Sequence, residues 1–259
     1  MSAPTVAPGR AGTPSPGAPD PRPSWVWPVR LIASAVALVV ILGGTWSVIG
    51  EFFERTTSRT ETIGGEVKHL VVDADDGDIT IRALSPGTAV VLTTTETHAF
   101  ADTRITRQLV AGTLMIKGRC SANVHMGDCS TDLDVQVPED VTVEVTTDLG
   151  RVSVDGMAAT VRATSSLGRI QLRHLRAAQV EAATDMGELR AQFDTPPMAV
   201  RARAGTGSIT LTLPEDDTTY RVLAEGNGKA QVEVPQAPSS IRVIVATADM
   251  GSIRVLTGS

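Results

Sequence analysis

Aromatic side chains are scarce in this chain: three Trp, four Phe and one Tyr among 259 residues. Trp25, Trp27, Trp46, Phe52 and Phe53 all flank or lie in one apolar stretch, which leaves Phe100, Phe193 and Tyr220 for the rest. Sugar-processing clefts need stacking aromatics beside their carboxylates, so this scarcity counts against a glycosidase, a lyase or a lectin. Basic runs are missing too. Beyond residue 30 there are 20 Lys and Arg against 28 Asp and Glu, a balance that argues against nucleic acid as a partner. No nucleophile elbow, zincin, phosphate-loop or dinucleotide motif is present. His69, His98, His125 and His174 sit in unrelated contexts and read as scattered surface residues. The expectation is a protein without catalytic residues, cofactor or metal.

One acidic cluster needs a separate reading. Asp73, Asp75, Asp76 and Asp78 surround Gly77 like the start of a calcium loop. The glycine comes one place early, and Leu84 stands where a bidentate Glu is required. A solvated cap on a strand turn is the better reading.

What the chain has in quantity is a repeat. The copies are DDGDITI (Asp75 to Ile81), DLGRVSV (Asp148 to Val154), SLGRIQL (Ser166 to Leu172), DMGELRA (Asp185 to Ala191), GTGSITL (Gly205 to Leu211), GNGKAQV (Gly226 to Val232) and DMGSIRV (Asp249 to Val255). After Gly77, the anchors Gly150, Gly168, Gly187, Gly207, Gly228 and Gly251 step by 18, 19, 20, 21 and 23 residues. A V-x-[AV] strand precedes each anchor, and its valines (Val143, Val161, Val180, Val200, Val222, Val243) step by 18, 19, 20, 22 and 21. Two markers with one period of ~20 residues define a repeat architecture. Apolar residues alternate after each glycine, which is strand periodicity and excludes helical repeats. The unit reads as strand, tight glycine turn, strand and return loop, the loops carrying Pro196-Pro197, Pro214 and Pro235.

A single unit cannot bury its apolar face, but stacking does. An all-β solenoid of ~20-residue rungs follows, about seven rungs and on the order of 30 Å long at ~4.8 Å per rung. The seven glycines are assigned to the backbone of the turns. Residues from Ile63 to Val137 are less regular and read as an elaborated start of the same stack, with hairpin-like excursions. Nothing after Arg254-Val255-Leu256 resembles a cap, so the C-terminal end is expected to be the open end, available for partner docking or self-association.

The N-terminal part reads differently. Residues 1–24 form a Pro-rich tail expected to be disordered. Leu31 to Ile49 is an uncharged stretch of 19 residues, about one hydrocarbon core in length, so 25–53 reads as a transmembrane helix with flanks. It is longer than a signal-peptide core and no A-x-A-like site follows it. Arg10, Arg22 and Arg30 precede the span, which orients the tail to the cytoplasm and the rest outward. Residues 54–62 read as a linker and 63–259 as the extracytoplasmic domain. In that oxidising compartment Cys120 and Cys129 read most simply as a disulfide, with a metal site including His125 as the alternative.

The apolar span, the Cys pair followed by a strand ending in Val137-Pro138, and VTVEVTTDLGRVSVDG (Val141 to Gly156) with its repeats resemble the bacterial putative-adhesin family, domain of unknown function 4097, over about Ile63 to Ser259. The resemblance extends to the actinobacterial, membrane-anchored type. It implies a β-solenoid and provides no catalytic residues. Function is then expected to be binding or scaffolding at the cell surface, with an envelope-stress or regulatory partner as the alternative.

Overall fold

In the computed structural model the described residues are 55–98, 103–120 and 129–258. The tail (1–24) and the apolar span (25–53) lie outside the described residues, as do the residues between the two cysteines. Every described regular element is a strand. They are β1 (Arg55–Ile63), β2 (His69–Asp76), β3 (Ile79–Leu84), β4 (Val90–His98), β5 (Thr103–Val110), β6 (Thr113–Cys120), β7 (Cys129–Pro138), β8 (Thr142–Asp155), β9 (Val161–Leu175), β10 (Gln179–Phe193), β11 (Ala199–Leu213), β12 (Arg221–Gly226), β13 (Ala230–Glu233) and β14 (Val243–Thr257). The stretch expected as a linker, 54–62, instead supplies most of β1, which pairs antiparallel with β4 from Arg55↔His98 to Ile63↔Val90.

The repeat builds a β-solenoid. Strands β8, β9, β10, β11 and β14 stack in parallel with motif on motif, so that Gly150↔Gly168, Gly168↔Gly187, Gly187↔Gly207 and Gly207↔Gly251 are partners. The expected tight turn is a corner. The strand runs through the glycine and continues on a second face, and only residues such as Asp185 drop out of register.

Two core columns fill each half. Before the corner, Val143, Val161, Val180, Val200 and Ile244 align, all 3% exposed or less. After it, Val152, Ile170, Leu189, Ile209 and Ile253 align, all buried. At the inner corner the buried column is Thr147, Ser165 and Thr184, then Ala204 and Ala248. Thr147 Oγ1 donates to the Leu149 carbonyl at 3.0 Å, which ties the strand to its own bend. The alternation of buried and exposed residues is thus the sequence pattern read directly into a core.

Layer order departs from chain order at both ends. The stack runs β4/β5, β6/β7, β2/β3, β8, β9, β10, β11, β14 and β12/β13, with β1 outside β4. At the start, β5 and β6 form an antiparallel hairpin and β4 runs antiparallel to β7, the hairpin-like excursions expected of this segment. At the far end β14 inserts between β11 and the β12/β13 layer, pairing with both. This corrects the expectation of an open C-terminal strand: the end layer is Arg221–Glu233, and the last strand is interior. That layer suits its position. Glu225, Lys229, Gln231 and Glu233 are exposed on it, and charges on a sheet edge discourage further pairing.

Tyr220 closes the same end. Its backbone N–H donates to the Pro235 carbonyl at 2.9 Å and its carbonyl accepts from Ala237 at 3.0 Å. The ring is 1% exposed, and the hydroxyl finds no hydrogen-bond partner among the described residues. Burial, helped by Asp216 and partly opposed by Arg242, pushes the phenol from 10.0 up to about 12. Because the folded value is the higher one, neutral Tyr220 favours the fold below pH 10.0, and that contribution is lost as pH rises towards about 12. Tyr220→Phe is therefore expected to move the alkaline unfolding midpoint upward and to leave stability at pH 7 unchanged or slightly raised, since an unpaired buried hydroxyl is removed. This is the chain's single tyrosine, so tyrosinate absorbance followed alongside circular dichroism checks the coupling directly.

Candidate binding surface

The glycine corner is where the structure leaves chemistry unused. At each layer the backbone bends so tightly over its neighbour that a Cβ has no room. A Cβ on Gly187 would lie 1.7 Å from the Gly168 carbonyl oxygen, and one on Gly207 would lie 1.7 Å from that of Gly187. Both residues also hold positive φ, 150° and 143°. The same approach runs through Gly77, Gly150, Gly168, Gly251 and Gly228, whose added Cβ atoms would fall 1.5–2.2 Å from a carbonyl of the adjoining layer. The seven glycines thus form one column, and its bare backbone floors a shallow groove along the corner, lined in part by Gly150, Arg151, Gly168, Arg169, Met186 and Gly187.

The residue just before each glycine points outward. Leu149, Leu167, Met186, Thr206 and Met250 stand in register on successive layers. Leu149 is 46% exposed, Leu167 39%, Met186 52% and Met250 60%. Four apolar side chains, with Thr206 between Met186 and Met250, make a ridge beside the groove; other exposed large hydrophobics include Leu109, Val110 and Met115 on the β5/β6 hairpin. Ion pairs such as Arg162–Glu181 (2.9 Å) line the neighbouring face. The signal was in the motif itself, as DLG, SLG, DMG and DMG, but nothing in the sequence separated an exposed corner from a buried one.

Charges flank the ridge unequally. On the side where each strand approaches the corner lie Asp148, Asp185 and Asp249, the last paired with Arg203 at 3.3 Å. On the departing side lie Arg151, Arg169, Arg190 and Lys229. There Asp78 sits 3.7 Å from Arg151, and Glu188 lies 3.1 Å from Arg169 and 2.5 Å from Arg190. One flank is net acidic and the other net basic.

The other sequence candidates fall elsewhere. Asp73 and Asp75 are both taken by Arg119, Asp73 at 2.6 Å, and the hydrogen bond that Arg119 donates to Asp75 leads in raising the guanidinium's pKa. The Asp78 carboxylate accepts from the Arg151 backbone N–H at 2.8 Å. This acidic turn is therefore a bonded strand cap, and no group of three potential metal ligands occurs among the described residues. Cys120 ends β6 and Cys129 begins β7, at the corner of their layer. His174 Nδ1 lies 2.8 Å from Asp155 Oδ1 on an exposed edge; His69 opens β2 and His98 closes β4.

The stacked corners define a parallel β-solenoid. The Toastrack DUF4097 family profile matches residues 64–240, and the chain belongs to that family. Its fold is similar to that of a putative cell adhesion protein from Clostridium sporogenes, at 13% identity and a TM-score of 0.46, over 79% of this chain and 100% of that one. It is also similar to a putative adhesin from Bacteroides fragilis (12% identity, TM-score 0.35, covering 79% and 97%). A third is a putative lipid binding protein from Parabacteroides distasonis (9% identity, TM-score 0.33, covering 77% and 97%). No curated protein matches the chain.

Proposed function

We propose that this protein is a non-enzymatic binding module held at the outer face of a cell membrane, with the Leu149–Met250 ridge as its contact surface. The ridge carries the reading: it sets four exposed apolar side chains in register along one corner of the stack, and a surface of that kind favours being covered. Hydropathy supports the tether, since Leu31 to Ile49 is long enough to cross a bilayer and the arginines precede it. The tail then lies in the cytoplasm and the solenoid outside. A Cys120–Cys129 disulfide would pin the corner of the β6/β7 layer there. It is supported by the positions of the two residues, which end β6 and begin β7, and by the absence of any free cysteine among the described residues.

Two measurements test this. Protease added to intact cells expressing the full chain is expected to remove the solenoid and spare the tail; an unaffected solenoid sinks the topology. Replacing Leu149, Leu167, Met186 and Met250 together by serine is expected to leave the melting temperature within a few degrees, because exposed substitutions each cost no more than about 0.5 kcal/mol. In membranes of expressing cells the same variant of the full chain should lose the higher-mass species that amine-reactive cross-linking captures with the wild-type chain. Capture at the wild-type level would remove the ridge from the account.

A further inference from the structure

We infer that the partner seated on this ridge is a second copy of the chain, packed side by side with its stack parallel to the first. The inference rests on the reading of the ridge as a contact surface and assigns its occupant. Symmetry and charge select this arrangement. Two identical copies can bring ridge against ridge about a two-fold axis in the plane of contact, and that axis runs either along the stack or across it. An axis across the stack sets the copies antiparallel and places Asp148 and Asp185 against the same acidic flank of the neighbour. An axis along the stack sets them parallel, and the acidic flank of each copy then faces the Arg151, Arg169 and Lys229 flank of the other. Only the parallel arrangement sets the net acidic flank against the net basic one on both sides of the apolar file, with Asp148 and Arg151 in the same layer, and like charges brought together across an interface are strongly disfavoured.

The register agrees. Layers repeat every ~4.8 Å in both copies, so Leu149, Leu167, Met186 and Met250 each meet their own counterpart and Thr206 meets Thr206. Parallel packing also places the two β1 strands, where the described chain begins, at the same end of the pair. Two copies tethered in one membrane satisfy that without strain. The ridge is narrow: a stable free dimer buries about 800 Å² per partner, more than four half-exposed side chains and their flanks supply. The pair is therefore weak in dilute solution and forms where tethering raises the effective concentration. The β12/β13 edge is a poorer site for a second copy, because Glu225, Lys229 and Glu233 stand along it.

The test uses the full-length chain in membranes of expressing cells, with one added cysteine at a time: Leu149→Cys, Met186→Cys or Met250→Cys. Mild oxidation is expected to give a disulfide-linked dimer at all three positions, and none from the chain without an added cysteine. An antiparallel pair would cross-link at no more than one of the three, and that result, or none at any, overturns the inference. Asp148→Lys or Arg151→Glu, which share the β8 layer, is expected to cut the cross-linked fraction about five-fold, the scale of one exposed ion pair, and the two together to restore it. If the cysteine cross-links fail while the four-serine variant still loses the amine-cross-linked species, the occupant is another molecule and the contact surface stands. If neither responds, both readings fall.

Discussion

Gly187→Ala is expected to lower stability by at least about 4 kcal/mol, beyond the range of ordinary substitutions. The added methyl would sit 1.7 Å from the Gly168 carbonyl oxygen, and the residue would have to hold a φ of 150°. The clashing atom is backbone, not a flexible side chain, so relief means parting two layers of the stack. Parting them breaks the pairing of β9 with β10 on both faces of the corner and opens the core between Ile170 and Leu189. Gly87→Ala is the control. That residue also holds positive φ (79°), but an added Cβ meets nothing within 4 Å. Its cost should be the conformational one alone, about 1–2 kcal/mol. Denaturant unfolding of the two variants separates steric exclusion from backbone preference. Equal losses would mean that the corner relaxes and that the glycine column is a convenience rather than a necessity.

The glycine column was legible in the sequence because its cause is local and repeats with the period of the fold. The alternation on either side of it fixed which residues face inward, from Val143 and Val152 to Ile209. The ridge residues were visible but unreadable. A leucine before a turn glycine can face inward or outward, and the choice depends on the corner angle, which no periodicity encodes. Layer order was hidden for a different reason. GNGKAQV and DMGSIRV are the same motif, and sequence spacing says nothing about which of them lies against β11. A weaker signal did exist in side-chain chemistry. Ile253 and Val255 are fully apolar core residues, whereas the corresponding Ala230 and Val232 are flanked by Lys229, Gln231 and Glu233. The more polar copy is the one that can tolerate the end. Residues 54–62 misled because RTTSRTET is polar throughout. A strand exposed along most of its length, as β1 is, needs no apolar alternation.

Truncating the chain after Arg242 provides the sharpest test of that layer order. If the strands stacked in chain order, removing β14 would strip the outermost layer and leave β12 and β13 protected against β11. In the observed order β14 is the partner of both, through Arg221↔Val243 to Gly226↔Ala248 and Ala230↔Ile253 to Glu233↔Leu256. Its loss also uncovers the paired edge of β11 from Ala199 to Leu213. The expected result is that backbone amides of Arg221–Glu233 exchange with solvent at the rate of unstructured chain in the truncated protein. Those of β8, β9 and β10 should keep most of their protection, because nearest-neighbour contacts dominate stability in a stack. Global stability should fall by more than a single core truncation costs, above about 5 kcal/mol. Retained protection over residues 221–233 would show that the end layer can dock directly on β11, and the inserted position of β14 would then have to be abandoned.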